Sequence, residues 1–553
     1  MRFIHEFLTR KEGSRGRDLL FLLVTFGIAF LQTLGRLPLL EPDEGRYAEI
    51  PREMLERGDF ITPHLNYVKY FEKPPLHYWL NAASMAVFGR NEFAARLPGA
   101  LAGLICVLFT YHLGRALFDR RTGLFAALVL GTSTGFLVQA RINFTDMTLT
   151  CCLTAALGCF IIAARDDAPR QGPSFYLSYL FAALAVLAKG LIGIVFPGAI
   201  VFLYCLLGKR WRTLREMRPV TGLLLFLLAA APWFVLVSAR NPEFPRFFFI
   251  HEHFERFTTT VHGRYQPPWF FIPVLLGTML PWSFFIPAGL RGSWRDRFAP
   301  QGREALYLAI WAVFIFLFFS KSDSKLVPYI LPVFPPLAVL IGRAFSARLD
   351  GAPAPLRKAG AVLATIFVIL GIGLIVYPHV TQKNAFSPID GLVMGSLFLV
   401  EGAAAFACIR RDRIVSLFVT LCACSYLIGI VAPPLVLRGV IARKTARELA
   451  LIVRQQAGPD DVVASFGYEQ TLPFYTARRT VVVGGMGELE FGAGQGDQSA
   501  WFLDLPRFAR LWDGERRVFA LATAGDLDQL RKSVTAPVRE LARNKRCILI
   551  TNR

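Results

Sequence analysis

Long apolar segments separated by short basic loops recur over roughly the first 440 residues, and no other feature narrows the fold as much. Each segment runs for about 17 to 25 residues, enough at about 1.5 Å per residue to cross a hydrocarbon core of about 30 Å. Spans are expected near residues 18–36, 93–113, 122–139, 147–163, 174–188, 190–207, 219–238, 268–289, 304–319, 326–342, 359–377, 390–408 and 414–434, the fifth and sixth nearly fused. One soluble core could not hide this surface: 54% of the 553 residues are hydrophobic, 18% are charged, and the mean hydropathy is +0.44. The expected fold class is therefore mostly α, a polytopic membrane protein of about 13 transmembrane helices, with a soluble α/β domain after it. The first span is too long for a signal-peptide core and lacks a small-residue cleavage site, so it is expected to stay as a helix.

Charge sets the orientation. Arg2, Arg10, Lys11, Arg15 and Arg17 precede the first span, and every second loop is basic too, from Arg115, Arg120 and Arg121 through Arg410, Arg411 and Arg413. By the positive-inside rule the N-terminus is cytoplasmic. Much of the net charge of +21 is then an orientation signal. Charges scattered over short loops form no continuous patch, which argues against a nucleic-acid partner. Eight of the nine cysteines fall in expected spans as small apolar fillers, so neither a disulfide framework nor a Cys-based metal site is implied.

An odd number of spans puts residues 441–553 on the side opposite the N-terminus, after a membrane domain covering 1–440. In this tail, apolar β-branched runs at 462–467, 480–485, 518–523 and 547–551 alternate with helix-like stretches at 445–456 and 526–534. That alternation predicts a small α/β domain. The glycine-rich stretch 484–496 has no phosphate-loop spacing and is expected to be a loop; no nucleotide cofactor is implied.

Two outward loops, 37–92 and 239–267, are far longer than the others, and loops of that length usually carry function. In the first, EPDEGRYAEI places Asp43, Glu44 and Arg46 just past the first span, and residues 51–60 are expected to form a short interfacial helix. Unpaired carboxylates are costly at a membrane boundary, so these either face water as a plain helix end, pair with Arg46, or line a cavity. Further on, YFEKPPLHYW holds Glu72 and Lys73 in a proline-stiffened turn among aromatic rings, which suits a phosphate and a sugar face as well as it suits an interfacial belt. Asp146 opens the fourth span on the same membrane face, either as a helix cap or as a third site carboxylate. The second loop holds His251, Glu252, His253 and Glu255, with Arg256 as a candidate phosphate fork. His253 with Glu72 is a better metal pair than the two histidines at i, i+2, which cannot both face one point on a helix. Lys325 and Tyr329, and the isolated Lys189, lie at outward boundaries where anchoring and phosphate contact are both open.

Outward carboxylates, cations and aromatic shelves on an apolar body match a reaction between a lipid-linked phosphate and a polar partner. Read in order, PDEGRYAEIPREM, GDFITPHLNYVKYFEKPPLHYW, the Asp146 segment, LAKG, EHFERF and SKLVPYILP resemble the lipid A 4-amino-4-deoxy-L-arabinose transferases. These belong to the GT-C membrane glycosyltransferases of the protein O-mannosyltransferase type. The resemblance implies an inner-membrane enzyme with a periplasmic C-terminal domain, acting as a monomer among membrane lipids. It implies inverting transfer of 4-amino-4-deoxy-L-arabinose from undecaprenyl phosphate to lipid A. Asp43, with Glu44 beside it, and Asp146 fall on the acidic catalytic positions. Lys73 falls on the carrier phosphate, with Arg46, Tyr47, Arg256, Lys189, Lys325 and Tyr329 as further substrate contacts. Glu72 and His253 would hold a divalent metal such as zinc. The chain departs from familiar members at Gly45, commonly Thr, and at Pro328, which comes one place later than usual. Another prenyl-linked sugar or a protein hydroxyl acceptor stays open, as does a lipid-linked substrate transporter or flippase, although no inverted hydropathy repeat is visible.

Overall fold

The computed structural model describes residues 2–166, 171–255, 265–297, 299, 301–352, 355–380 and 387–553, with His253 and a few others described by backbone only. Among these residues nine helices are long and apolar enough to cross a membrane, covering the expected spans from Glu92–Leu117 through Ile414–Pro433. The pair Pro268–Thr278 and Ser283–Arg295, bent by 112°, counts as a tenth if it is one span. The remaining three expected spans are helical but short or interrupted. Helix α1 (Arg2–Thr9) precedes α2 (Arg15–Leu31) at 17 residues, and Ile192–Leu207 has 16. The expected span 122–139 is broken at Ser133 into Arg120–Thr132 and Thr134–Gln139. There Thr132 and Ser133 donate their hydroxyls to the carbonyls of Leu128 and Val129, at 2.6 and 2.7 Å, and Thr134 N turns instead to Leu280 O. Side-chain bonds of this kind compete with the helical ladder, a signal that hydropathy does not carry.

The chain forms two compact units: Met1–Gln32, Gly99–Ser238 and Pro242–Val436 in one, and Thr33–Pro98, Ala239–Asn241 and Leu437–Arg553 in the other. The long loop at 37–92 thus falls in one unit with the C-terminal residues. In the first unit, Asp18 is buried and held by Arg120 at 2.5 and 2.7 Å and by the Tyr111 hydroxyl at 2.6 Å. In the Ile414–Lys444 helix, Pro433 lacks the N–H that Gly429 O would receive, and a guanidinium nitrogen of Arg141 donates to that carbonyl instead.

In the second unit a six-stranded sheet has the order β5-β4-β3-β6-β8-β7. Two short strands precede it, β1 (His64–Leu65) and β2 (Val68–Lys69). Strands β3 (Val462–Phe466), β4 (Val481–Val483), β5 (Phe502–Leu503) and β6 (Val518–Ala522) run parallel. Strands β7 (Arg539–Arg543) and β8 (Ile548–Thr551) close the far edge antiparallel. Val463, Phe519 and Leu549 pack one face onto Leu449 and Val453; Ala520 and Ile550 pack the other onto Phe508, Trp512 and Leu530. Covered on both faces, the inner strands read as continuous apolar runs, and they are the four strands expected from sequence. The two missed strands are a two-residue strand and the charged, exposed edge RELAR. The stretch 484–496 is not simply a loop: it forms the turns Gly487–Leu489 and Glu490–Ala493.

Helix α3 (Asp43–Arg57) takes in the whole of DEGRYAEIPREMLER and ends on Gly58 at φ 65°. The stretch 51–60, expected to form a short interfacial helix, is the second half of α3 and the residues just after it. Glu49, Arg52, Glu53 and Met54 are buried, with both Arg52–Glu49 contacts at 2.7 Å. Gly45 explains its own departure from the family pattern, because a Cβ there would stand 2.7 Å from Thr471 N and 2.8 Å from Gln470 C. Gly45→Thr is therefore expected to destabilise the second unit by about 1–3 kcal/mol, outweighing the helix propensity gained, and to lower the thermal midpoint in detergent.

Candidate functional site

Two clusters collect most of the expected site residues, one in each unit. In the second unit the first turns of α3 place Asp43 and Arg46 three residues apart, hence on one face. Asp43 Oδ1 accepts from Arg46 Nη1 at 3.0 Å, and the Asp43 side chain keeps 32% exposure while that of Arg46 keeps 6%. The other edge of Arg46 pairs closely with Glu488. Burial alone would lower the Arg46 guanidinium, but Glu488, Tyr70, Tyr47 and Glu72 outweigh it and hold the charge in place. Glu488 is pushed up by burial and by the neighbouring Glu72, against the pull of Arg46, and it accepts from Gln470 Nε2 at 2.9 Å.

Aromatic rings frame this pair. Arg46 lies 5.6 Å from the ring centre of Tyr47, which in turn contacts His77 at 5.8 Å and Tyr78 at 6.2 Å. The buried hydroxyls of Tyr70 and Tyr78 have no hydrogen-bond partner among the described residues, and burial raises both phenols. Together these groups offer two hydroxyls, a fixed cation and an accessible carboxylate, a set able to hold a sugar and a phosphate. Glu488 escaped sequence reading because the turn that carries it has no motif spacing. Its only advance signal is that it and Glu490 are the two carboxylates of a glycine-rich stretch.

Glu44 has to be corrected. One residue from Asp43 it turns inward, is 1% exposed, and is held by Arg96 Nε and Nη2 at 2.7 Å each and by Leu40 N at 3.1 Å. Arg96 also donates to the carbonyls of Leu34, Leu37 and Pro38. Glu44 is thus a brace for the chain entering α3 and has no free oxygen edge for a substrate.

Lys73 and Glu72 are both half-buried in the turn before the helix Leu76–Phe88, and Lys73 Nζ donates to Glu72 O at 2.8 Å. The His253 side chain and the whole of Arg256 lie outside the described residues. Among the described residues no three His, Cys, Asp or Glu side chains come together to hold a metal ion. Of the expected metal pair, the Glu72 side chain is described and lies next to the cation Arg46.

In the first unit Asp146 sits in the first turn of the helix Thr145–Ala163, whose N-cap residue is Phe144. Its carboxylate pairs closely with Lys189, the last residue of Gln171–Lys189, with side chains 8% and 10% exposed. Lys189 Nζ also lies 4.6 Å from the ring centre of Tyr329. Lys189 is therefore paired, not snorkelling outward, and three expected residues meet here. Lys325 is buried and donates to Gln266 O at 2.7 Å and to Ser322 O. A double-mutant cycle is expected to show Lys189→Met costing more than Asp146→Asn plus Lys189→Met together. A coupling energy of about 1–3 kcal/mol from thermal unfolding is the expected result, because the single variant leaves a buried carboxylate unpaired.

Comparison with known proteins matches two stretches of the chain, the first of them crossing from one unit into the other. The dolichyl-phosphate-mannose-protein mannosyltransferase family matches residues 72–236, and the aminoarabinose transferase C-terminal domain matches 449–552. The undecaprenyl phosphate-alpha-4-amino-4-deoxy-L-arabinose arabinosyl transferase of Erwinia tasmaniensis is 30% identical over 89% of this chain and 90% of its own. The Pectobacterium carotovorum protein of the same name is 29% identical over 96% and 97%. The crystal structure of ArnT from Cupriavidus metallidurans bound to undecaprenyl phosphate superposes with a TM-score of 0.86 and 30% identity, over 98% of this chain and 99% of that one. The Archaeoglobus fulgidus oligosaccharyltransferase, at 14% identity and a TM-score of 0.52 over 85% of this chain and 64% of its own, shares the fold alone.

Proposed function

The chain belongs to the undecaprenyl phosphate-alpha-4-amino-4-deoxy-L-arabinose arabinosyl transferase family, and from that premise we propose that it carries 4-amino-4-deoxy-L-arabinose from undecaprenyl phosphate to a phosphate of lipid A. It is a multi-pass membrane glycosyltransferase with a polyprenyl phosphate-linked donor. The single observation that supports the reading most is full-length similarity, at a TM-score of 0.86, to a protein crystallised with that carrier lipid. The N-terminus is taken as cytoplasmic and the C-terminal domain as periplasmic, on the positive-inside pattern.

In this reading an oxygen of the lipid A phosphate attacks the anomeric carbon. The bond from that carbon to the carrier phosphate breaks, its electron pair stays on undecaprenyl phosphate, and the configuration inverts. The acceptor is already ionised near neutral pH, so no side chain has to remove its proton. Asp43 would then act through charge, stabilising the positive character that grows at the anomeric carbon or holding the sugar ammonium. Arg46 keeps its charge at any working pH, and with Lys73 it would receive the departing phosphate. Asp146, Lys189 and Tyr329 would hold a second polar group of the substrates. The product carries a new ammonium on a former phosphate. Less negative charge at the cell surface weakens the attraction of cationic peptides such as polymyxin.

The test offers the purified full chain undecaprenyl phosphate-aminoarabinose and lipid A and looks by mass spectrometry for the aminosugar on lipid A. The same assay with other prenyl-linked sugars, or with a serine peptide as acceptor, distinguishes the neighbouring activities. Movement of the donor across a vesicle membrane without a covalent product would identify a transporter and overturn the proposal.

A further inference from the structure

In the first unit, α1, α2, the helix Arg120–Thr132 and the helix Ile414–Lys444 enclose a groove of 880 Å³. Its walls are almost wholly apolar, with Phe7, Val24, Leu128 and Leu427 among them, and among the described residues its one charged lining side chain is Arg17, at the end nearest the chain's N-terminus.

That end is built with some rigidity. Arg120, fixed on Asp18, donates to the carbonyls of Phe7 and Arg10 at 2.9 Å each, and so ties α1 down across the mouth of the groove. Phe7 then packs edge-on against Phe21 of α2 at 5.3 Å. At the other end the Tyr426 hydroxyl donates to Thr25 O at 3.0 Å and links the two walls. Asp18 is taken up by Arg120, Tyr111 and Arg115, and Arg17 beside it is exposed and lines the groove.

We propose that this groove binds one anionic glycerophospholipid of the leaflet that faces the chain's N-terminus, its acyl chain in the apolar channel and its phosphate on Arg17. On the positive-inside reading this is the inner leaflet. Length and charge select this occupant. From Arg17 to Thr25 α2 rises about 12 Å, and the opposite wall from Phe418 to Leu427 rises about 14 Å, close to half of a hydrocarbon core of about 30 Å. That depth fits the tail of a lipid confined to one leaflet and is short for a polyprenyl chain. Basic groups between helices at the cytoplasmic boundary are the usual receptors of anionic head groups. No residue of the groove belongs to the two clusters described above, so the inference stands or falls apart from the proposed transfer.

The experiment reconstitutes the full chain in nanodiscs of phosphatidylcholine with a minor share of phosphatidylglycerol and counts the lipids kept on the protein by native mass spectrometry. Wild type is expected to retain one phosphatidylglycerol in preference to phosphatidylcholine. Arg17→Ala should weaken that retention about fivefold, the effect of one surface cation, and Val24→Trp should remove it by filling the channel. Arg17 and Val24 are both exposed, so neither change disturbs the core, and retained glycosyltransfer would report an intact fold. Equal retention of the two lipids by wild type overturns the proposal. So does unchanged retention in both variants, or the recovery of undecaprenyl phosphate in place of a diacyl lipid.

Discussion

Arg96→Met is expected to prevent stable folding of the second unit, with a loss of about 3–5 kcal/mol, the usual cost of removing one partner from a buried ion pair. Arg96 is 3% exposed and makes two bonds of 2.7 Å to Glu44, while its remaining donors satisfy the carbonyls of Leu34, Leu37 and Pro38. Its loss would strand a buried carboxylate and three carbonyls of the segment that leads into α3. Arg96→Lys is expected to rescue little, since an ammonium cannot make the planar two-point contact or reach the carbonyls at the same time. Glu44→Gln with Arg96→Met should recover part of the loss, because the uncompensated charge is then gone. Thermal unfolding in detergent and limited proteolysis read all three. A wild-type midpoint for Arg96→Met would show that the pair does not hold this segment.

This brace shows where the sequence could be read and where it could not. Hydropathy made the helical part legible, because a membrane imposes length on every crossing whatever the packing partner. The four inner strands were legible for a related reason: burial on both faces leaves unbroken apolar runs. Choosing between Asp43 and Glu44 is a different kind of problem. Adjacent residues on a helix point about 100° apart, so one of them faces the site and the other the interior, and which is which depends on a partner 52 residues away. The same holds for Glu488, which reaches Arg46 from more than 400 residues along the chain and has no local pattern to announce it. Lys189 and Asp146 were each legible as isolated charges at the end of an apolar span, yet their pairing follows from helix packing and not from spacing. Motif resemblance pointed to the stretches that carry Asp43, Lys73 and Asp146. Only three-dimensional contacts separate a carboxylate that braces from one that remains accessible.

Asp43→Asn is expected to lower transfer of the aminosugar about a hundredfold or more while leaving the fold intact. The size follows from removing a preorganised charge beside a developing charge, where single substitutions cost about 10²–10³ in rate. The selectivity follows from the geometry. Asp43 is partly exposed and its one ion pair among the described residues, with Arg46 at 3.0 Å, belongs to a class worth about 0–1 kcal/mol, whereas Arg46 keeps Glu488 as its buried partner. Thermal stability and retention of undecaprenyl phosphate should therefore match wild type, and turnover alone should collapse. Glu44→Gln makes the opposite pattern: it weakens the bidentate contact with Arg96 and is expected to lower the unfolding midpoint before it alters the rate of the surviving folded protein. Measured side by side, the two neighbours separate chemistry from support. Wild-type turnover in Asp43→Asn would remove Asp43 from the reaction and leave the Arg46–Glu488 pair as the charged centre to explain.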